Sequence, residues 1–252
     1  LRRLSRQVVT QLELRRALLE MNDAIKTRDE MYEALQSERD KTDNLMEKIL
    51  PKSIADEIKH NGKVSPRYFD EASILFSDIV GFTKLTEALP PNTLVELLDQ
   101  IFCRFDTIAT KHGVEKIKTI GDAYMCVSGT NNDKEGHADK LCAMAIEMRD
   151  YMQKANIQRE KLKMPRWDIR IGIHSGPVIS GVVGENKFTF DIWGDAVNIA
   201  SLMEQNSEPG RINISETTQY RVHQKFELTD RGKIASSKKG NMAMFFLENF
   251  KS

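Results

Sequence analysis

Two aspartates, each in a short motif, stand where metal and phosphate chemistry is possible. Phe76-Ser77-Asp78-Ile79-Val80-Gly81-Phe82-Thr83 ends an apolar strand pattern in a carboxylate, then turns through a glycine into a helix-like segment beginning at Thr83. Gly81 permits a tight turn that aims successive backbone N–H groups outward, an arrangement suited to phosphate oxygens. Asp78 is placed to hold a hard cation such as Mg²⁺ beside that cradle, although an aspartate before a helix more commonly forms a turn or an N-cap. Lys118-Thr119-Ile120-Gly121-Asp122-Ala123-Tyr124 sets a second aspartate in a tight turn between two apolar strand patterns. If these strands neighbour the first, the two carboxylates converge. They would repel unless a metal sat between them, so convergence predicts a divalent-ion site. Sequence distance leaves open the alternative that Asp122 only shapes its turn.

A third stretch runs from Arg170-Ile171-Gly172-Ile173-His174-Ser175-Gly176-Pro177 through Gly181-Val182-Val183-Gly184 to Asp191-Ile192-Trp193-Gly194-Asp195-Ala196-Val197-Asn198-Ile199-Ala200. Its glycines imply close backbone approach or sharp turns. It contains neither a Walker A sequence nor a GxGxxG. His174 reads as a hydrogen-bonded core residue before it reads as a ligand, and Ser175 lacks the His and Asp partners of a serine hydrolase.

The elements that must carry these residues fall into two regions. Residues 1 to about 50 contain no Gly or Pro and are dense in Leu, Arg, Glu, Gln and Lys, the composition of a long helix. A heptad seam through Leu4, Gln7, Gln11, Leu14, Leu18, Met21, Ile25, Arg28, Tyr32, Leu35, Arg39, Thr42, Met46 and Ile49 is apolar at nine positions of fourteen. It predicts a parallel two-stranded coiled coil over 1–50, with a lone amphipathic helix as the alternative. Pro51 ends the pattern, and 51–68 reads as a linker with a short helix, Ile54 to His60, capped by Ser53.

The remainder, 69–252, alternates strand and helix patterns. Strands are expected over 71–77, 114–117, 123–127, 167–174, 211–214, 226–229 and 243–247. Helices are expected over 92–111, 137–154 and from Gly194 to about Glu204. Hairpin-length connections suggest an α+β sandwich, with helices on one face of a largely antiparallel sheet.

Composition excludes several classes. The chain of 252 residues balances 37 Lys+Arg against 37 Asp+Glu, with 40% hydrophobic residues. That is neither a disordered tail nor a protein that binds nucleic acid by bulk charge. No apolar run approaches the ~18–20 residues of a membrane span, and no signal-peptide pattern opens the chain. Cys103, Cys126 and Cys142 are an odd number without a CxxC, which favours a reducing, cytoplasmic setting. A first residue Leu1 suggests a piece of a longer protein, whose remainder could still provide a membrane anchor.

FSDIVGFT, KTIGDAYM, RIGIHSGPVISGVVG and DIWGDAVNIAS, in this order and spacing, resemble the catalytic domain of class III nucleotidyl cyclases from about Asp70 to Asn249. The long helix and its Leu50-Pro51 exit look like the coiled coil and transducer segment that precede such domains. The Leu1–Arg16 stretch resembles the closing helix of a GAF-type sensor. The resemblance implies a ferredoxin-like α/β sandwich that converts ATP to 3′,5′-cyclic AMP and pyrophosphate, with two Mg²⁺ or Mn²⁺ per site. Asp78 and Asp122 match the family's metal-binding aspartates, with the Ile79 carbonyl as third ligand. Gly81, Phe82 and Thr83 would cradle the β- and γ-phosphates.

Lys118 and Asp191, the latter followed by Ile192, match the pair that reads adenine: an ammonium donates to N1 and a carboxylate accepts from the N6 amine. Guanylyl members carry Glu and Cys there. Asn198 matches the residue that orients the ribose. Two positions depart from the pattern. Leu202 stands where the family has its transition-state arginine, and the late phosphate-binding lysine falls in Ser236-Ser237-Lys238-Lys239-Gly240. Lys187, Lys238, Lys239 or an arginine is then the substitute cation, or the enzyme is slow. The family's site forms between two head-to-tail protomers, which implies a homodimer held by the coiled coil and the catalytic domains, with a sensor upstream. The alternatives are a weak or inactive ATP-binding signalling module and, less favoured, a guanylate cyclase. A diguanylate cyclase is disfavoured because no GG[DE]EF sequence occurs.

Overall fold

The computed structural model describes residues 2–130, 135–236 and 240–251. They form two units that divide between Gly62 and Lys63. In the first, the absence of helix breakers gives one uninterrupted helix, α1 (Arg2–Glu47), with Leu14, Leu18, Met21 and Ile25 exposed along it. Its i,i+4 pairs, such as Arg16–Glu20 at 2.9 Å, lie in solvent and add only tenths of a kcal/mol each.

A short helix, α2 (Lys52–Asn61), follows. It is not capped by Ser53. The fixed φ of Pro51 sets the start two residues earlier, and the Pro51 carbonyl accepts the N–H groups of Ile54 and Ala55, both at 2.9 Å. Gly62, at φ 72°, ends the helix, and Lys59 reaches back to Asp43 on α1 at 2.8 Å.

The second unit is built on one sheet of eight described strands: β1 (Arg67–Ile79), β2 (Glu115–Ile120), β3 (Ala123–Ser128), β4 (Ile169–Val183), β5 (Thr189–Trp193), β6 (Ile212–Ser215), β7 (Phe226–Ser236) and β8 (Gly240–Phe250). The order is β2-β3-β1-β4-β6-β8-β7, with β5 folded back on β4. Only β4 and β6 run parallel. The strand expected over 167–174 runs on through the glycine-rich stretch after His174. That stretch is the second half of β4, paired with β5 from Ile179–Trp193 to Val183–Thr189. β1 pairs with Gly176 through Ala72 and β5 pairs with Gly181 through Asp191, and these neighbours supply the order that a glycine lacks.

Strand alternation splits the interior into two cores. Leu75 on β1 faces a larger core with α4 (Pro91–His112) and α5 (His137–Lys161), which contribute Phe105, Ile108, Leu141 and Met148. Ile74 and Phe76 face the other way, against Met125, Val127 and Ile192. That second core is closed by Ala196 and Ala200 of α6 (Asp195–Gln205). The expectation of helices on one face is thus corrected: α6 lies on the opposite face. Its alanines allow a helix to sit close on a sheet. A further short helix, α7 (Glu216–Val222), has no counterpart in the sequence expectations; its Ser215 cap accepts the Thr218 N–H at 3.4 Å.

Candidate active site

The two aspartates meet. Asp78 is the penultimate residue of β1, level with Arg170 on β4, and the β2–β3 hairpin carries Asp122 two residues before Tyr124, the partner of Ser77. The carboxyls are close enough to hydrogen-bond. Burial, then the hydrogen bond and charge of Asp78, push the Asp122 pKa up to about 6, against the backbone N–H groups of Asp122 and Ile79. An anion pair that holds a proton this tightly is one that a divalent cation would relieve.

Among the described residues no three His, Cys, Asp or Glu side chains gather as a metal cluster. The donors are two carboxylates and nearby backbone carbonyls, an all-oxygen set that fits Mg²⁺ or Mn²⁺ ligated also by water and substrate oxygens. Gly81 beside them is in the left-handed conformation at φ 70° and opens α3 (Phe82–Ala88), whose first turn no side chain caps. The N–H groups of Phe82 and Thr83 belong to that turn.

Lys118 and Asp191 also meet, with Nζ donating to Oδ2 at 2.5 Å while the Ile192 N–H donates to Oδ1 at 2.9 Å. A bulge in β2 makes this possible. Lys116 pairs with Cys126 but Lys118 with Met125, so the two lysines leave opposite faces of the sheet. Lys116 reaches Asp106 on α4, and Lys118 reaches β5. Asn198 is exposed on α6, one turn before the half-buried Leu202, and Lys187 is exposed between β4 and β5. Lys239, with Ser237 and Lys238, lies outside the described residues. Exposed apolar side chains border this region: Ile120, Ile179, Val183, Phe188 and Trp193.

Sequence reasoning gave no role to Arg170 or Glu204. Arg170 donates from Nη2 to Asp78 Oδ2 at 2.7 Å, and its Nε lies 2.6 Å from Glu204 Oε1 on α6. Burial pushes the Glu204 carboxyl up to about 7; Arg170 opposes the rise and the Asp78 charge adds to it. The available signal was Gly172, where a Cβ would stand 1.9 Å from the Glu204 backbone nitrogen. A glycine that close to a helix marks where α6 crosses β4.

His174 is the core residue expected. It is buried, with Nδ1 2.8 Å from Ser215 Oγ, in a hydroxyl chain that continues through Thr218, Ser175 and Ser73 to His137. Burial lowers the His174 pKa to about 4, with Asp195 opposing and Arg221 adding; His137 is lowered by burial and Arg221 against Glu71 and Asp139. A histidine held neutral contributes its full stability above about pH 6.5 and loses it as pH falls toward 4, for His174 roughly 3 kcal/mol. The raised carboxyls of Asp122 and Glu204 act with the opposite sign over the same interval. His174→Gln should therefore be compared with wild type: the difference in unfolding free energy between pH 7.5 and 4.5 should shrink by that amount. An unchanged difference would show that the imidazole stays accessible to protons.

The residues from 64 to 249 match the family model for the adenylate and guanylate cyclase catalytic domain. Over 218 residues the chain is 38% identical to an adenylate cyclase of Mycobacterium tuberculosis (strain ATCC 25618 / H37Rv), covering 84% of this chain and 47% of that one. It is 37% identical over 214 residues to the guanylate cyclase soluble subunit beta-2 of Rattus norvegicus, covering 84% and 31%. The chain thus spans about half the length of the mycobacterial relative or less of the others. Among solved structures, the adenylyl cyclase CyaB of P. aeruginosa superposes with a TM-score of 0.70 at 28% identity, over 75% of this chain and 98% of that one. The catalytic core of a rhodopsin-guanylyl cyclase with converted specificity, in complex with ATPalphaS, gives 0.68 at 30% identity, over 74% and 100%. The paired aspartates, the glycine turn and the Lys118–Asp191 pair thus sit in a chain that belongs to the adenylate and guanylate cyclase catalytic-domain family.

Proposed function

We propose that this chain is an adenylate cyclase, converting ATP to 3′,5′-cyclic AMP and pyrophosphate. The observation that carries the choice of base is the Lys118–Asp191 ion pair, with Nζ on Oδ2 at 2.5 Å. One partner offers a donor and the other an acceptor, side by side, which suits adenine N1 and the N6 amine. Guanine presents a donor at N1 and an acceptor at O6 and would leave both groups mismatched. A site built on hydrogen bonds rejects such an analogue strongly, because its polar groups are left unpaired.

Asp78 and Asp122, with the Ile79 carbonyl, would hold two Mg²⁺ or Mn²⁺, which when bound activate the ribose 3′-hydroxyl and neutralise the triphosphate. The Gly81–Thr83 backbone receives the β- and γ-phosphate oxygens, and Asn198 orients the ribose. The site is shared in a homodimer: Asp78 and Asp122 come from one protomer, and Lys118, Asp191 and Asn198 from its partner. The exposed Ile179, Val183, Phe188 and Trp193 support this, since a second copy would cover them. The 46-residue α1, exposed at Leu14, Leu18, Met21 and Ile25, raises the effective concentration of the two domains as a parallel coiled coil and passes on the state of an upstream GAF-type sensor.

A second reading has its own observation. Leu202 cannot stabilise charge, so a weak or inactive ATP-binding module would bind ATP without turnover. The base assignment is tested by Lys118→Glu combined with Asp191→Cys. Wild type should prefer ATP over GTP by at least about 10², and the double variant should reverse the order. A wild-type chain that cyclises GTP faster than ATP would overturn the assignment.

A further inference from the structure

Arg170 stands between two carboxylates, and its two contacts differ in kind. Toward Asp78 it makes an aligned hydrogen bond, Nη2 to Oδ2 at 2.7 Å. Toward Glu204 it comes closer, Nε to Oε1 at 2.6 Å, but off the hydrogen-bonding direction, so both atoms are buried without a hydrogen-bond partner. Such atoms are rare in folded proteins, because charge alone, without a hydrogen bond, is left to offset their lost hydration. Glu204 has little freedom to correct this: its side chain is 8% exposed, and its backbone rests on Gly172 of β4. The side chain with room to move is Arg170, which is 32% exposed.

A divalent cation on Asp78 would place two cations on one carboxylate. Arg170 has one place to go among the groups it already touches, and by turning fully onto Glu204 it would satisfy both orphaned atoms in a charge-assisted pair. We infer that Glu204 is a positioning residue for the metal site, taking Arg170 over from Asp78 when a divalent cation binds. Metal affinity is then set partly by a carboxylate on α6 that never touches the metal. The same helix carries Asn198, so metal occupancy and the placement of the ribose-orienting helix are linked through one guanidinium. This rests on the reading of Asp78 as a metal ligand.

The test uses the whole chain at pH 8, where Glu204 is ionised, and measures Mn²⁺ binding without nucleotide from the electron paramagnetic resonance signal of the free ion. Glu204→Gln should weaken Mn²⁺ binding about tenfold, the scale seen when an outer partner of a metal ligand is removed. Arg170→Gln should tighten it. In the Arg170→Gln background Glu204→Gln should have no further effect, since the guanidinium it receives is gone. Glu204→Asp should restore most of the affinity. A Glu204→Gln effect that persists in the Arg170→Gln background would reduce Glu204 to a distant negative charge and overturn the inference. If Glu204→Gln fails to fold, the Arg170→Gln arm decides, and unchanged or weaker Mn²⁺ binding there overturns it. Mn²⁺ binding that Asp78→Asn abolishes but these variants leave alone sinks this inference and spares the metal site. Wild-type chain that binds no Mn²⁺, or binds it equally well as Asp78→Asn, overturns both.

Discussion

An Asp78→Ala chain is expected to form cyclic AMP from ATP at least about 10³-fold more slowly than wild type, with either Mg²⁺ or Mn²⁺. The size follows from what the carboxylate is proposed to hold. Asp78 sits at the end of β1 against Asp122, whose pKa is raised first by burial and then by the hydrogen bond and charge of Asp78. Without it, one carboxylate and the surrounding carbonyls are left to hold cations against the repulsion of a triphosphate. The fold should survive, because Asp78 is half-buried at a strand end and Arg170 keeps Glu204 as a neighbour.

The same variant tests the shared site. Asp78→Ala and Asn198→Ala chains should each be inactive alone. Mixed in equal amounts they should recover about a quarter of wild-type activity, because half the dimers are mixed and each of those has one intact site of two. Removing residues 1–50 should move this recovery to higher protein concentration, since the coiled coil proposed for α1 would no longer hold the domains together. No recovery at any concentration would mean that both sets of residues act within one chain.

Leu202→Arg is expected to raise the rate by about 10²-fold, the usual worth of one preorganised group that meets charge developing in a transition state. Leu202 follows Asn198 by four residues on α6, so the two side chains leave one face of the helix. A cation at 202 would therefore address the substrate that Asn198 is proposed to orient. The position is half-buried, and a long side chain can carry its charge outward along α6. The measurement is turnover of saturating ATP, with kcat expected to rise more than KM changes. An unchanged kcat, together with a large loss on Lys187→Ala, would show that the exposed lysine between β4 and β5 already supplies the charge.

How far these residues could be read from the chain itself differs from one to the next. The two aspartate motifs, the Gly81 turn and the Lys118–Asp191 pair stood out because their residue types are tied to short local patterns, and local patterns are what a sequence records. Strand alternation placed Ile74 and Phe76 on one face, and they share a core. Gly and Pro avoidance made α1 plain. The glycine-rich half of β4 misled because glycine weakens a strand in isolation, whereas here β1 and β5 pair with it from both sides. Pro51 rather than Ser53 starts α2 because a fixed φ outranks a side-chain cap that the geometry does not use.

The sequence by itself determined which residues have the capacity for the proposed chemistry, since carboxylate, lysine and glycine have those capacities wherever they fall. Only the tertiary structure decided which of them meet. A one-residue bulge in β2 sends Lys118 to Asp191 and Lys116 to Asp106, and no local preference distinguishes two lysines two residues apart. The Asp78–Arg170–Glu204 row likewise depends on α6 crossing β4 at Gly172, a contact between segments far apart in the chain. Such contacts are set by how whole elements pack, and packing is a property of all of them together.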